Sequence, residues 1–341
     1  MAADAVSVRR AEHRRMLAKF GLLLLALGLS VALSLYAGRG KLTGSALDSR
    51  FFELRLQRTL VTFLAGAGLA VAGVLLQGLF RNPLASPSIL GTTSGAVLGG
   101  EVMLAAVYAL WGGQAPFGLA GEILTPIGCI VGALLALLLV LTLTPLRASP
   151  IALLLTGFLL SALLLSFGSL LKSLLQENWQ LIRVMNLLSE GSVSGAGPKQ
   201  SSLAALLVVG STLPAWLWSR ELDTLLSGEE EATSLGVDVP RLRVWIVVWS
   251  AFLSAGAVAV GANVAFVGLI VPHALRAWFG QLHRPLIPAA FFGGGIFLVW
   301  CDVLCRLLPL RNEIPLGVVT ALIGAPLFLR MLAKLERGAV S

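Results

Sequence analysis

The sequence predicts an all-α polytopic membrane protein with about ten transmembrane helices, and three observations carry that expectation. Hydrophobic residues make up 57% of the 341 residues and charged residues only 12%, with a mean hydropathy of +0.89. A water-soluble core of this size cannot bury that much apolar surface. The apolar residues fall into long runs, each near the roughly 20 residues that a helix needs to cross a bilayer. Between the runs stand the charge clusters and Pro and Gly groups that end helices. The whole chain, 1–341, therefore reads as one membrane domain.

The first run, near 17–37, follows a basic segment, 1–16, expected in the cytoplasm. Its start imitates a signal peptide, but the apolar stretch from Phe20 to Ala37 is longer than a cleaved core, so a retained helix is expected. Further spans are expected near 59–80, 91–111, 118–145, 150–173, 202–219, 243–262, 265–279, 286–308 and 315–335. The eighth is short and interrupted by Pro272, and the stretch 180–190 is too short to cross and is expected to lie along the surface. Ten crossings put both termini on one side. Arg9, Arg10, Arg14, Arg15 and Lys19 place that side in the cytoplasm by the positive-inside rule, and Arg330, Lys334 and Arg337 agree.

Five cations, Arg39, Lys41, Arg50, Arg55 and Arg58, crowd into the outside loop between the first two spans. Snorkelling at a helix end explains one or two of them, so a docking surface for an acidic soluble partner is expected there. The net charge of +8 and pI near 10.1 do not imply nucleic acid, because the basic residues lie between apolar runs, facing lipid head groups and cytoplasm. Cys129, Cys301 and Cys305 sit in or beside apolar stretches without metal spacing and read as packing residues.

Helices in a bilayer associate through small residues that let backbones approach. Gly91, Gly95 and Gly99 form two GxxxG steps in the third span, Ala251, Ala255 and Ala259 repeat the pattern in the seventh, and "AGAGLAVAG" (65–73) gives the second a small face. Ser166, Ser169 and Ser173 recur at i, i+3 and i+7 of the fifth span. Such a stripe either lines a path or bonds its own backbone at i−4. Glu101 and Asp302 fall near expected span ends, where ionisation costs less than the roughly 2.5–3.5 kcal/mol of the bilayer centre. There is no HExxH, CxxC or GxSxG, and His13, His273 and His283 are scattered, so no metal site is expected. No GxxxxGK[ST] phosphate loop is present, so any ATP is bound by another chain.

Between the sixth and seventh spans stands "SGEEEATSLGVDVPRLR" (227–243). Ser227 and Glu230 fit a capping box, Glu229, Glu230 and Glu231 suit the positive end of a helix, and Gly236 suits its stop. A cytoplasmic helix of about two turns is expected over 227–237. Its Ala232 and Leu235 offer an apolar plug to a neighbouring subunit, the alternative being a solvated loop helix.

With "LQGLFRNPLASPSILGTTSGAVLGG" (76–100), "AFVGLIVPHALR" (265–276) and "IPLGVVTALIGAPLFLRML" (314–332), this segment resembles the membrane permeases of bacterial binding-protein-dependent ABC importers for iron chelates, haem and vitamin B12. The likeness runs from about residue 20 to the C-terminus. It implies a type II importer permease fold in the bacterial inner membrane and a homodimer, or occasionally a fused or paired heterodimer, with the path at the subunit interface. Two cytoplasmic ATP-binding subunits would hold ATP and Mg, and a periplasmic or lipid-anchored binding protein would dock outside. The permease would bind no cofactor and perform no covalent chemistry. On this resemblance Gly228, Glu229, Glu230, Glu231, Ala232, Leu235 and Gly236 seat in a cleft of the ATPase, with Glu229 and Glu230 meeting its basic or polar groups. Arg55 and Arg58 of "ELRLQRTL" and Arg306 of "DVLCRLL" pair with acidic knobs of the binding protein.

Pro83 and Pro87 of "RNPLASP", a motif that also holds Asn82, and Pro272 and His273 of "VPHALR" are expected to shape broken helices at the cytoplasmic end, with His273 a structural cap rather than a ligand. Near the outer mouth, where many relatives have an aromatic residue before a glycine-rich turn, "VMNLLSEGSVSGAG" (184–197) carries Leu188 and Glu190, with Arg183 close by. Arg183 and the three serines are the candidate path residues. The implied cargo is an iron(III)-siderophore or a similar bulky metal chelate. The competing expectation is an ion-coupled carrier with broken helices near the midplane, in which an amide at Glu101 or Asp302 abolishes uptake. A membrane enzyme is disfavoured, because no His, Asp or Cys cluster lies at a membrane face.

Overall fold

The computed structural model describes residues 2–37, 46–111, 123–144, 150–193, 197–308 and 314–339, and every extended regular element among them is a helix. In chain order these are α1 (Ala2–Tyr36), α2 (Ala46–Leu79), α3 (Thr92–Trp111), α4 (Thr125–Leu143), α5 (Pro150–Leu174), α6 (Trp179–Glu190) and α7 (Pro198–Leu217). There follow α8 (Ser219–Leu225), α9 (Glu229–Ser234), α10 (Val239–Ala259), α11 (Val267–Phe279), α12 (His283–Leu307) and α13 (Leu316–Ala339). Among the described residues eight helices, α1–α5, α7, α10 and α12, are long and apolar enough to cross a membrane. Two shorter apolar stretches, Val267–Phe279 and Leu316–Arg330, bring the set to the expected ten. At 13 residues α11 rises only about 20 Å, short of a bilayer's hydrocarbon core of about 30 Å.

Two boundaries differ in a way that matters. α2 begins at Ala46, so Arg50, Arg55 and Arg58 lie on a helix rather than in a loop. Continuing the helix satisfies backbone groups that a loop beside the bilayer would leave open. Arg39 and Lys41 lie outside the described residues, as do both expected ends of the fourth span. The expected surface helix over 180–190 is α6, which turns Leu181, Met185 and Leu188 inward.

Backbones meet at glycines. A Cβ at Gly99 would come closer than 3.0 Å to the backbone of Gly128 and Gly132, and one at Gly95 would collide with Gly132, so α3 and α4 touch main chain to main chain. The same holds for α2, whose Gly66 faces Gly294 of α12 and whose Gly73 faces Gly268 of α11. Gly91 does not continue the α3 stripe. It precedes the helix at φ +80° and packs against Gly157 and Ser161 of α5. Ser161 Oγ also donates to Ser88 O at 3.1 Å, so the α2–α3 connection tucks in against α5 and α3 starts partway along it. Ala251, Ala255 and Ala259 are buried as expected.

Pro272 does not break α11, which runs through it. A proline lacks the N–H that would bond the carbonyl four residues earlier, at Gly268. Here Gln77 Nε2 donates to Gly268 O at 3.1 Å and to Leu269 O at 3.4 Å, so a side chain from α2 replaces the missing backbone donor. His273 is exposed on the same helix. Asn82 Oδ1 accepts the Leu84 N–H at 2.9 Å and shapes the turn that carries Pro83.

The glycine contacts are directly testable. Gly99→Val is expected to destabilise the protein by about 1–3 kcal/mol or more through overpacking. Gly21→Ala, where nothing lies within 4 Å, should be silent. Thermal unfolding of the two variants in detergent distinguishes them.

Candidate functional site

α9 stands at one end of the bundle between the short α8 and the long α10. The expected capping box does not form: Gly228 is the N-cap, at φ +131°, and no side chain caps the helix. Ser227 falls one residue too early, because the backbone reversal needs a dihedral that glycine alone tolerates there. The C-terminal stop is as expected. Gly236, at φ +87°, donates to Thr233 O and Val237 N–H to Ala232 O, both at 3.0 Å, which is a Schellman closure.

Side chains of α9 divide into two sets. Ala232 is fully buried, so it anchors the helix and is not a plug for a partner. Glu229 Oε1 accepts from Arg243 Nη2 at 3.0 Å, and the arginine is 7% exposed at the base of α10. Glu229 is thus spent inside the chain, because a buried guanidinium requires a counter-charge. Glu230, Glu231, Leu235 and Gly236 remain exposed, Leu235 by 65%. Beside them opens a hollow of about 530 Å³ lined by Arg220, Glu221, Leu235 and Arg241.

At the opposite end Asp302 of α12, 1% exposed, accepts from Arg58 Nε at 3.0 Å and Nη2 at 2.8 Å. Arg306 Nη2 lies 3.0 Å from its other oxygen as an ion pair without hydrogen-bond alignment. Arg306 also donates from Nη1 to Ser34 O at 2.9 Å and Ala37 O at 2.8 Å, and from Nη2 to Ser34 Oγ at 2.6 Å, closing off the C-terminal carbonyls of α1. Its side chain is 6% exposed and that of Arg58 17%. The expectation of three outward-facing docking cations, Arg55, Arg58 and Arg306, therefore does not fit Arg306, which a buried carboxylate holds inside. Arg55 Nη1 bonds Leu35 O at 3.0 Å and keeps part of its surface open.

Glu101 falls at the middle of α3 yet, through the offset start of that helix, level with the last turns of α5. It is 1% exposed and pairs with Lys172 of α5 at 3.1 Å. Ser189 of α6 donates to it at 2.6 Å and accepts from Lys172 at 3.0 Å. Nothing in the sequence spacing signalled this network, nor the contact of His283 Nδ1 with Asp223 at 2.7 Å. The i,i+4 spacing of Asp302 and Arg306 was the one legible pair.

Ser166 and Ser169 bond their own helix, at Ala162 O (2.9 Å) and Leu165 O (3.1 Å), and all three stripe serines are exposed alongside Phe158, Leu159, Leu163 and Phe167. Arg183 and Glu190 line a hollow of about 450 Å³ on α6 with Trp179 and Asn186, while Leu188 is buried. Cys129, Cys301 and Cys305 are buried free thiols.

Removing the carboxylate of Asp302 should strand two guanidiniums. Asp302→Ala is expected to cost about 3–5 kcal/mol, and Asp302→Asn less. Thermal unfolding in detergent reads both.

The FecCD transport family matches residues 18–334. The hemin transport system permease of Yersinia pestis is 34% identical over 293 residues, covering 86% of this chain and 85% of that protein. The Fe(3+) dicitrate transport system permease of Escherichia coli K12 is 35% identical over 284 residues, covering 83% of this chain and 85% of that one. A solved metal-chelate type ABC transporter in an inward-facing conformation superposes with a TM-score of 0.79 at 31% identity, covering 92% of this chain and 98% of that one. The helical bundle, the acidic segment between α8 and α10 and these likenesses agree: the chain belongs to the FecCD transport family and is the membrane permease subunit of an ABC importer.

Proposed function

We propose that this permease carries an iron(III)-siderophore, or a similar bulky metal chelate such as haem or cobalamin, across the bacterial inner membrane, driven by ATP hydrolysis on two separate subunits. The observation that carries the reading is α9, a six-residue acidic helix locked to the bundle by Ala232 and the Glu229–Arg243 pair while Glu230, Glu231 and Leu235 project outward. A rigid exposed peg transmits a push from a bound motor, whereas a flexible loop would absorb it. The cargo class is supported by relatives that carry hemin and ferric dicitrate, both coordinated metals.

In this reading α9 and both termini face the cytoplasm, and ATP and Mg belong to the partner subunits. This chain performs no covalent chemistry. A second copy of the permease covers the exposed face of α5, so that Ser166, Ser169 and Ser173 line the path between subunits. Arg183 stands at its outer mouth. A periplasmic or lipid-anchored binding protein docks at the Asp302 end. There Arg55 meets an acidic partner, and Arg58, held by Asp302, supports it. Each such exposed pair contributes about 0.2–1 kcal/mol and so sets register more than affinity.

Reconstitution with the ATPase and binding protein in liposomes tests the function: labelled iron(III)-siderophore should accumulate only with ATP and the ATPase present, and accumulation without the ATPase would refute it. The coupling assignment has a finer test. Glu230→Ala with Glu231→Ala and Leu235→Glu should weaken ATPase retention by about 2 kcal/mol, roughly 30-fold, without changing the melting temperature. Glu229→Ala should instead lower the melting temperature, because it leaves Arg243 buried without its partner.

A further inference from the structure

Next to α9 lies a cavity of about 500 Å³ that the coupling surface does not use. Its wall draws Gln77 from α2, Arg81 from the following turn, His273 and Arg276 from α11, Gln281 from the next loop and His283 from the start of α12. Among the described residues no carboxylate is in that wall. Among the described residues neither Arg81 nor Arg276 has a carboxylate partner: Arg276 donates to the Gln77 amide oxygen, and the Arg81 guanidinium makes no hydrogen bond or ion pair. Arg81 also holds a left-handed backbone, φ +46°, which a side chain of its size rarely adopts.

His283 adds an independent sign. Its residue is 1% exposed, and its backbone N–H and Nδ1 both meet Asp223 Oδ1 at 2.7 Å. That leaves Nε2 buried without a partner, pressed on Gly78, which shares the cavity wall. The amide of Gln77 is itself fixed on the Gly268 and Leu269 carbonyls, so the geometry is set before any ligand arrives.

The depth of the cavity identifies the anion. Trp278 and Leu282, each 57% exposed, stand next in the chain to the lining residues Ala277 and Gln281. Lys19 Nζ bonds the Trp278 carbonyl and stands 5.8 Å over the Phe279 ring, and Arg284 lies 5.8 Å over Trp216. Exposed tryptophans interleaved with Lys and Arg mark the level of lipid head groups, where a basic pocket between helices meets lipid phosphates. We propose that this cavity binds the phosphate of an anionic phospholipid, held by Arg81 and Arg276. The choice of the cytoplasmic leaflet rests on the orientation proposed above; the site itself does not.

Native mass spectrometry of the delipidated full chain in detergent, with phosphatidylglycerol, phosphatidylcholine or inorganic phosphate added, tests the assignment. The unmodified chain should retain phosphatidylglycerol over phosphatidylcholine. Arg81→Gln should cut that preference about fivefold, the worth of one cation at a headgroup surface. The Arg81 side chain makes no hydrogen bond or ion pair among the described residues, so replacing it leaves the fold intact, whereas Arg276→Gln also releases Gln77. Arg284→Gln, outside the wall, should change nothing. Equal retention of the two lipids, or a preference that survives Arg81→Gln, overturns the proposal. Arg81-dependent thermal protection by inorganic phosphate without lipid preference overturns it in favour of a free anion. Loss of ATPase retention in Arg81→Gln with lipid preference unchanged overturns it in favour of a carboxylate on that subunit. The readout of lipid preference requires neither ATPase nor cargo, so its failure leaves the importer reading standing, and a failed uptake assay leaves the lipid result standing.

Discussion

The distance at which α2 meets its neighbours sets the rest of the bundle. Apolar side chains gain nothing by leaving lipid for one another, so this helix holds α11 and α12 through contacts that only glycine permits, Gly73 on Gly268 and Gly66 on Gly294. The Gly66–Gly294 contact sets α12 against α2 near the middle of α12, and α11, held by Gly73, packs on α12 as well. Its first residue, His283, then reaches Asp223 of α8, and its Asp302 reaches Arg58 of α2 near the other end. Both ends of the protein are therefore positioned by the same main-chain contacts in between.

Buried charge is placed with equal economy. Among the described residues each deeply buried carboxylate of the membrane body has two polar partners from other segments or turns: Asp302 has Arg58 and Arg306, and Glu101 has Lys172 and Ser189. Losing the carboxylate of such a group leaves its cations without their counter-charge in low dielectric, which is why these groups pin helices to one another. The face of α5 turned away from them carries Ser166 and Ser169, both bonded to their own backbone, Ser173 and apolar side chains. If that face lines the path as proposed above, its lack of charge suits a bulky cargo whose charge the protein need not match.

Much of this was legible beforehand. Ten apolar stretches, the GxxxG approach of α3, the buried alanines of α10 and the glycine stop of α9 follow from local composition and spacing, which carry the signal directly. What could not be read is whatever depends on side chains meeting across the fold. Glu229 and Arg243 are separated by a turn and a helix start, and no periodicity links them. The start of α2 was misplaced because its first turns are polar, and hydropathy marks only the portion in lipid. Arg306 looked like an exposed cation at a span end, since sequence cannot distinguish a guanidinium facing water from one folded back onto α1.

The amide that spans α2 and α11 has an evolutionary corollary. Gln77 serves the carbonyl that Pro272 leaves vacant and, with its oxygen, steadies Arg276. Positions 77 and 272 should therefore change together in descendants of this chain. Restoring a main-chain hydrogen at 272 would set the amide loose, and trading the amide for an aliphatic group would make the imino acid intolerable.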